Sequence, residues 1–139
     1  RRQRRQPVEK LAYRPAHGAD ELLEYLCTRF KLGLITTRTR AEVDPFLDKY
    51  GYETCFYTIV AQDASGATPS YSHLIRLAAD RIQVPVERCA VVGGSRVVVE
   101  AANYMGAVSV AVLDGALRRQ DVGDADLVLD NIGQLRNWL

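Results

Sequence analysis

The segment Val91-Val92-Gly93-Gly94-Ser95-Arg96-Val97-Val98-Val99-Glu100-Ala101-Ala102 limits the possible folds more than any other stretch of the chain. An apolar run enters a Gly-Gly-Ser turn and leaves at once as a helix. A strand that turns so tightly into a helix belongs to an α/β unit, and such turns hold phosphates and metals in that class of protein.

The rest of the chain repeats the alternation. Leu22, Leu23, Leu26, Cys27 and Phe30 follow Asp20 at helical spacing, and residues 31–36 then read as a short buried strand. Val43, Phe46, Leu47 and Tyr50 place a helix over 39–50 that Gly51 stops. A β-branched and aromatic strand is expected over 56–61, and residues 62–70 are loop by composition. Leu74, Ile75, Leu77, Ala78 and Ile82 mark a helix over 71–82 that Pro85 cannot continue. Strands over 89–93, 107–113 and 126–130 surround a helix over 95–105, and residues 132–139 read as a closing helix. Strands separated by helices pair in parallel through right-handed crossovers, which gives a helix–sheet–helix layering.

Composition bounds the remainder. The 139 residues suit one domain, and 47% hydrophobic with 25% charged residues is ordinary for a globular protein. A net charge of +1 gives no argument for a nucleic-acid or membrane partner. Arg1, Arg2, Arg4 and Arg5 crowd the start, so residues 1–13 form a basic lead-in or tail and 14–139 the α/β core. Such an arm would contact phosphates, or it is a solvated end. Cys27, Cys55 and Cys89 are widely spaced with no Cys-x-x-Cys pair, which argues against zinc and a disulfide framework and for the cytoplasm or another reducing compartment. The start lacks the apolar core of a signal peptide, and no apolar run nears the about 20 residues that span a bilayer.

Several local strings, in this order and spacing, resemble the haloacid dehalogenase (HAD) superfamily, in particular its phosphoglycolate-phosphatase-like members. Arg14-Pro15-Ala16-His17-Gly18, leading to Leu22-Leu23-Glu24-Tyr25-Leu26, is similar to the family's entry from cap to core. Gly33-Leu34-Ile35-Thr36-Thr37-Arg38 resembles its second motif, Thr68-Pro69-Ser70-Tyr71 the place of its third, and 91–102 its fourth. Residues 124–132 resemble its usual ending. The resemblance implies a three-layer Rossmann-like core with a mostly parallel sheet, and a residual phosphate site at Thr36, Thr37, Thr68, Gly93, Gly94 and Ser95.

The departures bear on function. The family uses an aspartate nucleophile and a second Asp two residues on, carried by a first core strand. No strand here runs into Asp-x-Asp, and Asp124-Ala125-Asp126 precedes a strand and reads as loop. Thr68 stands where the resemblance implies a lysine, and Gly94 and Val98 where it implies two magnesium-binding acids. Phosphoryl transfer needs an in-line nucleophile and neutralised charge, and Mg²⁺ is held by oxygen ligands that include carboxylates. The expectation is therefore no cofactor or metal site, no confident catalytic residue and no cap domain. It also leaves the first core strand missing between residues 32–36 and 89–93, where the two flanking strands pair directly or another segment fills the gap.

Arg38, Arg40 and Arg96 follow strand ends, where open α/β sheets bind ligands. Arg38 and Arg96 are candidate anion contacts, or surface arginines paired with nearby acids. His73 near the third motif, His17 in a turn and Asp63 before Ser-Gly have simpler readings as exposed or turn residues. Trp138 is a core residue or docks a partner. The chain is thus expected to be a catalytically degenerate HAD-like domain that acts in binding, regulation or assembly, with a protein partner, a second copy or a phosphate-bearing small molecule. The alternatives are the C-terminal part of a divergent HAD phosphatase and a phosphate- or nucleotide-binding module.

Overall fold

The computed structural model describes residues 15–64, 70–113 and 117–139. Helix α1 (Ala19–Cys27) leads to strand β1 (Gly33–Ile35), α2 (Arg40–Tyr50), β2 (Thr58–Val60), α3 (Tyr71–Ile82), β3 (Ala90–Gly93), α4 (Arg96–Met105), β4 (Val108–Val112) and β5 (Leu127–Leu129). The expected alternation is present, and every strand pairing among these elements is parallel.

The helices begin where the sequence supplies caps. Thr39 Oγ1 accepts the Glu42 N–H while the Glu42 carboxylate accepts the Thr39 N–H, a reciprocal pair at the start of α2. Ser70 and Ser95 each accept the N–H three residues on, and so start α3 and α4. Helix α2 stops at Gly51, whose φ of 68° costs a glycine little. Helix α3 stops on Gln83 at φ 61°, two residues before Pro85.

The sheet is divided where the first core strand is expected to be missing. Strands β1 and β2 form one sheet, with Gly33 opposite Thr58 and Ile35 opposite Val60. Strands β3, β4 and β5 form another, with Ala90 opposite Val108 and Val112 opposite Leu129. Among the described residues β1 and β3 are therefore not paired, and direct closure of the sheet does not occur. Shared helices hold the two sheets together instead. Ile35 from β1 and Val91 from β3 both pack on the cluster that Ile75 and Ala79 of α3 build with Ala101 and Ala102 of α4.

On the opposite layer Leu22 and Leu26 of α1 meet Val110, Leu129 and Leu135, with Leu32 and Val92 against them. Val43 and Leu47 of α2 pack with Tyr52 against Leu34 and Ile59. Fully burying a Val or Leu side chain contributes about 1.5–3 kcal/mol, so these layers fix the sheet positions without a continuous hydrogen-bond ladder. Residues 132–138 form the expected closing helix, as a 3₁₀ helix. Its Gln134 N–H donates to the Asn131 carbonyl, the tighter i→i+3 pattern favoured in short terminal pieces. Trp138 is exposed, so its reading as core is corrected. Among the described residues no helix is long and apolar enough to cross a membrane.

Candidate functional site

The turns after β1 and β2 are tied together. The Thr36 N–H donates to the Val60 carbonyl at 3.0 Å, and Thr36 Oγ1 accepts the Arg38 N–H at 3.1 Å. The Gln62 N–H donates to the Arg38 carbonyl at 2.9 Å, joining the two turns. Asp63 Oδ1 accepts the Arg40 N–H at 3.3 Å, so this acid sits at the start of α2, where a carboxylate favours the positive helix end. Arg40 Nε in turn donates to Asp44 at 2.9 Å, one helical turn on. Thr37 and Arg38 are exposed, and Thr36 is half-buried.

The turn after β3 is built differently. A methyl group placed on Gly93 would stand 2.7 Å from Val98 Cγ1, so the strand end and the first turn of α4 meet with no room for a side chain between them. Val98 is only 8% exposed. Gly94 is exposed, and a Cβ there would lie 3.7 Å from the Val112 carbonyl oxygen. Ser95 Oγ accepts the Val98 N–H at 3.3 Å and so serves as the helix cap. Arg96 Nε donates to Glu100 at 3.1 Å, and the same guanidinium helps hold the Asp121 carboxyl below the usual carboxylate range, behind the larger effect of Arg118.

Of the sequence-predicted site residues, Thr36, Thr37 and Arg38 lie on the β1 side and Gly93, Gly94, Ser95 and Arg96 on the β3 side, each group at the end of a strand of a different sheet. Thr68 lies outside the described residues, as do Arg1, Arg2, Arg4 and Arg5. His17 and His73 are exposed, and the His73 N–H donates to the Ser70 cap. Gly94 offers no side-chain oxygen and Val98 faces the strand. The residues at the implied magnesium positions therefore do not fit that ion. Among the described residues no three His, Cys, Asp or Glu side chains converge as metal ligands.

Asp126 has a structural task. Its Oδ2 accepts from the Ser109 N–H at 2.9 Å and from the Ser109 hydroxyl at 3.4 Å, while Ser109 Oγ accepts the Asp126 N–H at 3.0 Å. Ser109 is wholly buried, so this exchange satisfies polar groups that would otherwise be stranded. Asp126 also precedes β5, at the end of its strand opposite to the turns described above.

Sequence reasoning missed a second constellation, which joins α1 to the segment after α2. The Tyr52 hydroxyl donates to Asp20, and burial followed by that hydrogen bond pushes the Tyr52 phenol well above its ordinary range. At the other end of α1, Cys27 and Cys55 line one cavity, and the neighbouring Cys27 side chain, followed by burial, pushes the Cys55 thiol up to about 11. Asp20 and Cys27 stand seven residues apart, two helical turns, which was a usable signal for one shared face.

A model of the haloacid dehalogenase-like hydrolase family matches residues 2–112. Comparison with curated proteins gave no match. Among solved structures, a HAD phosphatase from Thermococcus onnurineus is 22% identical with a TM-score of 0.77, over 87% of this chain and 56% of its own. A hydrolase from Pseudomonas syringae is 25% identical with a TM-score of 0.76, over 87% of this chain and 59% of its own. A predicted phosphoglycolate phosphatase from Haemophilus somnus is 17% identical with a TM-score of 0.77, over 87% of this chain and 55% of its own. The chain thus spans less than two thirds of the length of the structures it matches.

Proposed function

The chain belongs to the haloacid dehalogenase-like hydrolase family, and from that premise we propose that it is a catalytically silent domain of the family that acts in binding, regulation or assembly. The observation that carries this reading is Val98, buried at 8% exposure and set against Gly93 at the strand end where the family resemblance implies a metal-binding acid. Phosphoryl transfer requires neutralised charge around the moving group and a nucleophile in line with it. The β3 turn offers one hydroxyl, already used as a helix cap. The β1 turn offers Thr36, whose hydroxyl accepts a backbone N–H. A threonine acts as a nucleophile only with an adjacent base.

A second reading is that the chain is the C-terminal part of a divergent HAD phosphatase. The separation of β1–β2 from β3–β4–β5 among the described residues favours it, since a strand carried by other sequence would join the two sheets. The test is magnesium-dependent hydrolysis of p-nitrophenyl phosphate by the purified chain. No turnover above the uncatalysed rate is expected. Turnover that one substitution in this chain abolishes would overturn the silent reading. Turnover gained only when the chain is extended with upstream sequence ending a strand in Asp-x-Asp would favour the second.

A further inference from the structure

Strands β1 and β3 each keep one edge in a ladder and leave the other open. Parallel pairing decides which groups lie open, because successive residues turn their N–H and C=O to opposite edges. The Thr36 N–H donates to Val60 of β2, so Gly33 and Ile35 point their backbone groups away from β2. The Val108 N–H of β4 donates to the Cys89 carbonyl, so Ala90 and Val92 point theirs away from β4. Among the described residues no other strand takes up these groups. The Cα atoms of β1 and β3 stand mostly more than 8 Å apart. Hydrogen-bonded neighbours lie about 4.8 Å apart, so a single strand laid between two others needs about 9.6 Å. Helices fix the opening on both faces: Ile35 and Val91 lie against α3 and α4, and Leu32 and Val92 against α1. Four of the five residues of β4 are buried, while no residue of β1 or β3 is, although the same layers cover them.

We propose that this slot docks an extended apolar segment of a separate polypeptide, which enters as a strand between β1 and β3. The proposal names the partner for the binding or assembly role given above, and it rests on that reading. The segment exchanges backbone hydrogen bonds with Gly33 and Ile35 along one edge and with Ala90 and Val92 along the other. Its side chains alternate between the α3–α4 layer and the α1 layer. Both layers are apolar at the slot, so the segment is uncharged over about five consecutive positions, an ordinary strand length. It also lacks proline, which has no N–H to give a ladder. The outer edges of β2 and β5 offer a strand one ladder each, whereas the slot offers two ladders and two apolar faces. Common helix layers already hold both edges in place, so the incoming segment carries most of the ordering cost and the domain little.

The probe is a synthetic peptide with the core Val-Ile-Val-Phe-Val between lysine pairs, added to the isotope-labelled full chain while amide hydrogen exchange is read residue by residue by NMR. In the free chain the amides of Gly33, Ile35, Ala90 and Val92 should exchange faster than those of Leu34 and Val91, which sit in ladders. Saturating peptide should slow those four at least about tenfold, and a peptide with proline at its centre should bind at least about tenfold more weakly. No binding, equal binding of the proline peptide, or protection confined to the outer edges of β2 or β5 would overturn the proposal. Magnesium-dependent hydrolysis of p-nitrophenyl phosphate, run on the same samples, separates the proposal from the reading beneath it. Protection of the four amides together with turnover would overturn the silent reading and leave the slot standing. Neither protection nor turnover would overturn the slot and leave the silent reading standing. The exchange uses the unsubstituted chain, so no variant has to fold for the result to decide.

Discussion

At the scale of single residues, the contact between Gly93 and Val98 decides what the most suggestive turn of the sequence can do. Gly-Gly-Ser after a strand reads as an open cradle, yet Gly93 is there because Val98 presses on it. Gly93→Ala should lower stability by about 1–3 kcal/mol through overpacking. Adding Val98→Ala should recover part of that loss, because the added methyl then has space. A double-mutant cycle in urea measures this coupling, and strictly additive effects would contradict it. Cys55 gives a second prediction at this scale. The neighbouring Cys27, its burial and the nearby Glu24 raise it to about 11 from an ordinary value of 9.0. The folded state therefore holds this proton more tightly than the unfolded chain. That contribution is intact below pH 9 and should disappear as pH climbs through about 11. Cys55→Ser should flatten this part of the stability–pH curve, with Tyr50 and Tyr52 left in place on the same wall.

At the scale of elements, the chain's local signals are faithful and its long-range ones are silent. The helices α2, α3 and α4 start at Thr39, Ser70 and Ser95 because capping is a matter of three or four neighbouring residues, and such patterns are legible in a sequence. The end of α3 is less well served. Gln83 takes the left-handed conformation at φ 61°, which costs a side-chain-bearing residue about 1 kcal/mol relative to glycine. Gln83→Gly should therefore raise stability by about 0.5–1 kcal/mol, read as a higher urea midpoint at unchanged slope. A lower midpoint would show that the Gln83 side chain makes up for its backbone. The bond between Asp126 and Ser109 joins residues 17 positions apart, and Cys27 and Cys55 line one cavity across β1 and α2. Neither pairing leaves a periodic trace, so an Asp-x-Asp string and three scattered cysteines carry no signal of where they go until the chain is folded.

At the scale of the whole molecule, the class and layering were readable because alternating strands and helices admit few arrangements. The place of the sheet's division was readable too, from the core strand missing between residues 32–36 and 89–93, whereas the outcome as two sheets was not, since pairing depends on which edges meet. Its two parts rest on common helix layers, with Ile35 and Val91 on one and Leu32 and Val92 on the other. The family scaffold is thus retained around strand ends whose implied metal positions are Gly94 and Val98. The most direct measurement is the thermal midpoint of the chain in millimolar magnesium chloride with inorganic phosphate, against EDTA at matched ionic strength. An ion held by the native state alone must stabilise it, by about 2.7 kcal/mol at a hundredfold excess over its dissociation constant. The account predicts the same midpoint in both solutions, and a rise specific to magnesium would contradict it.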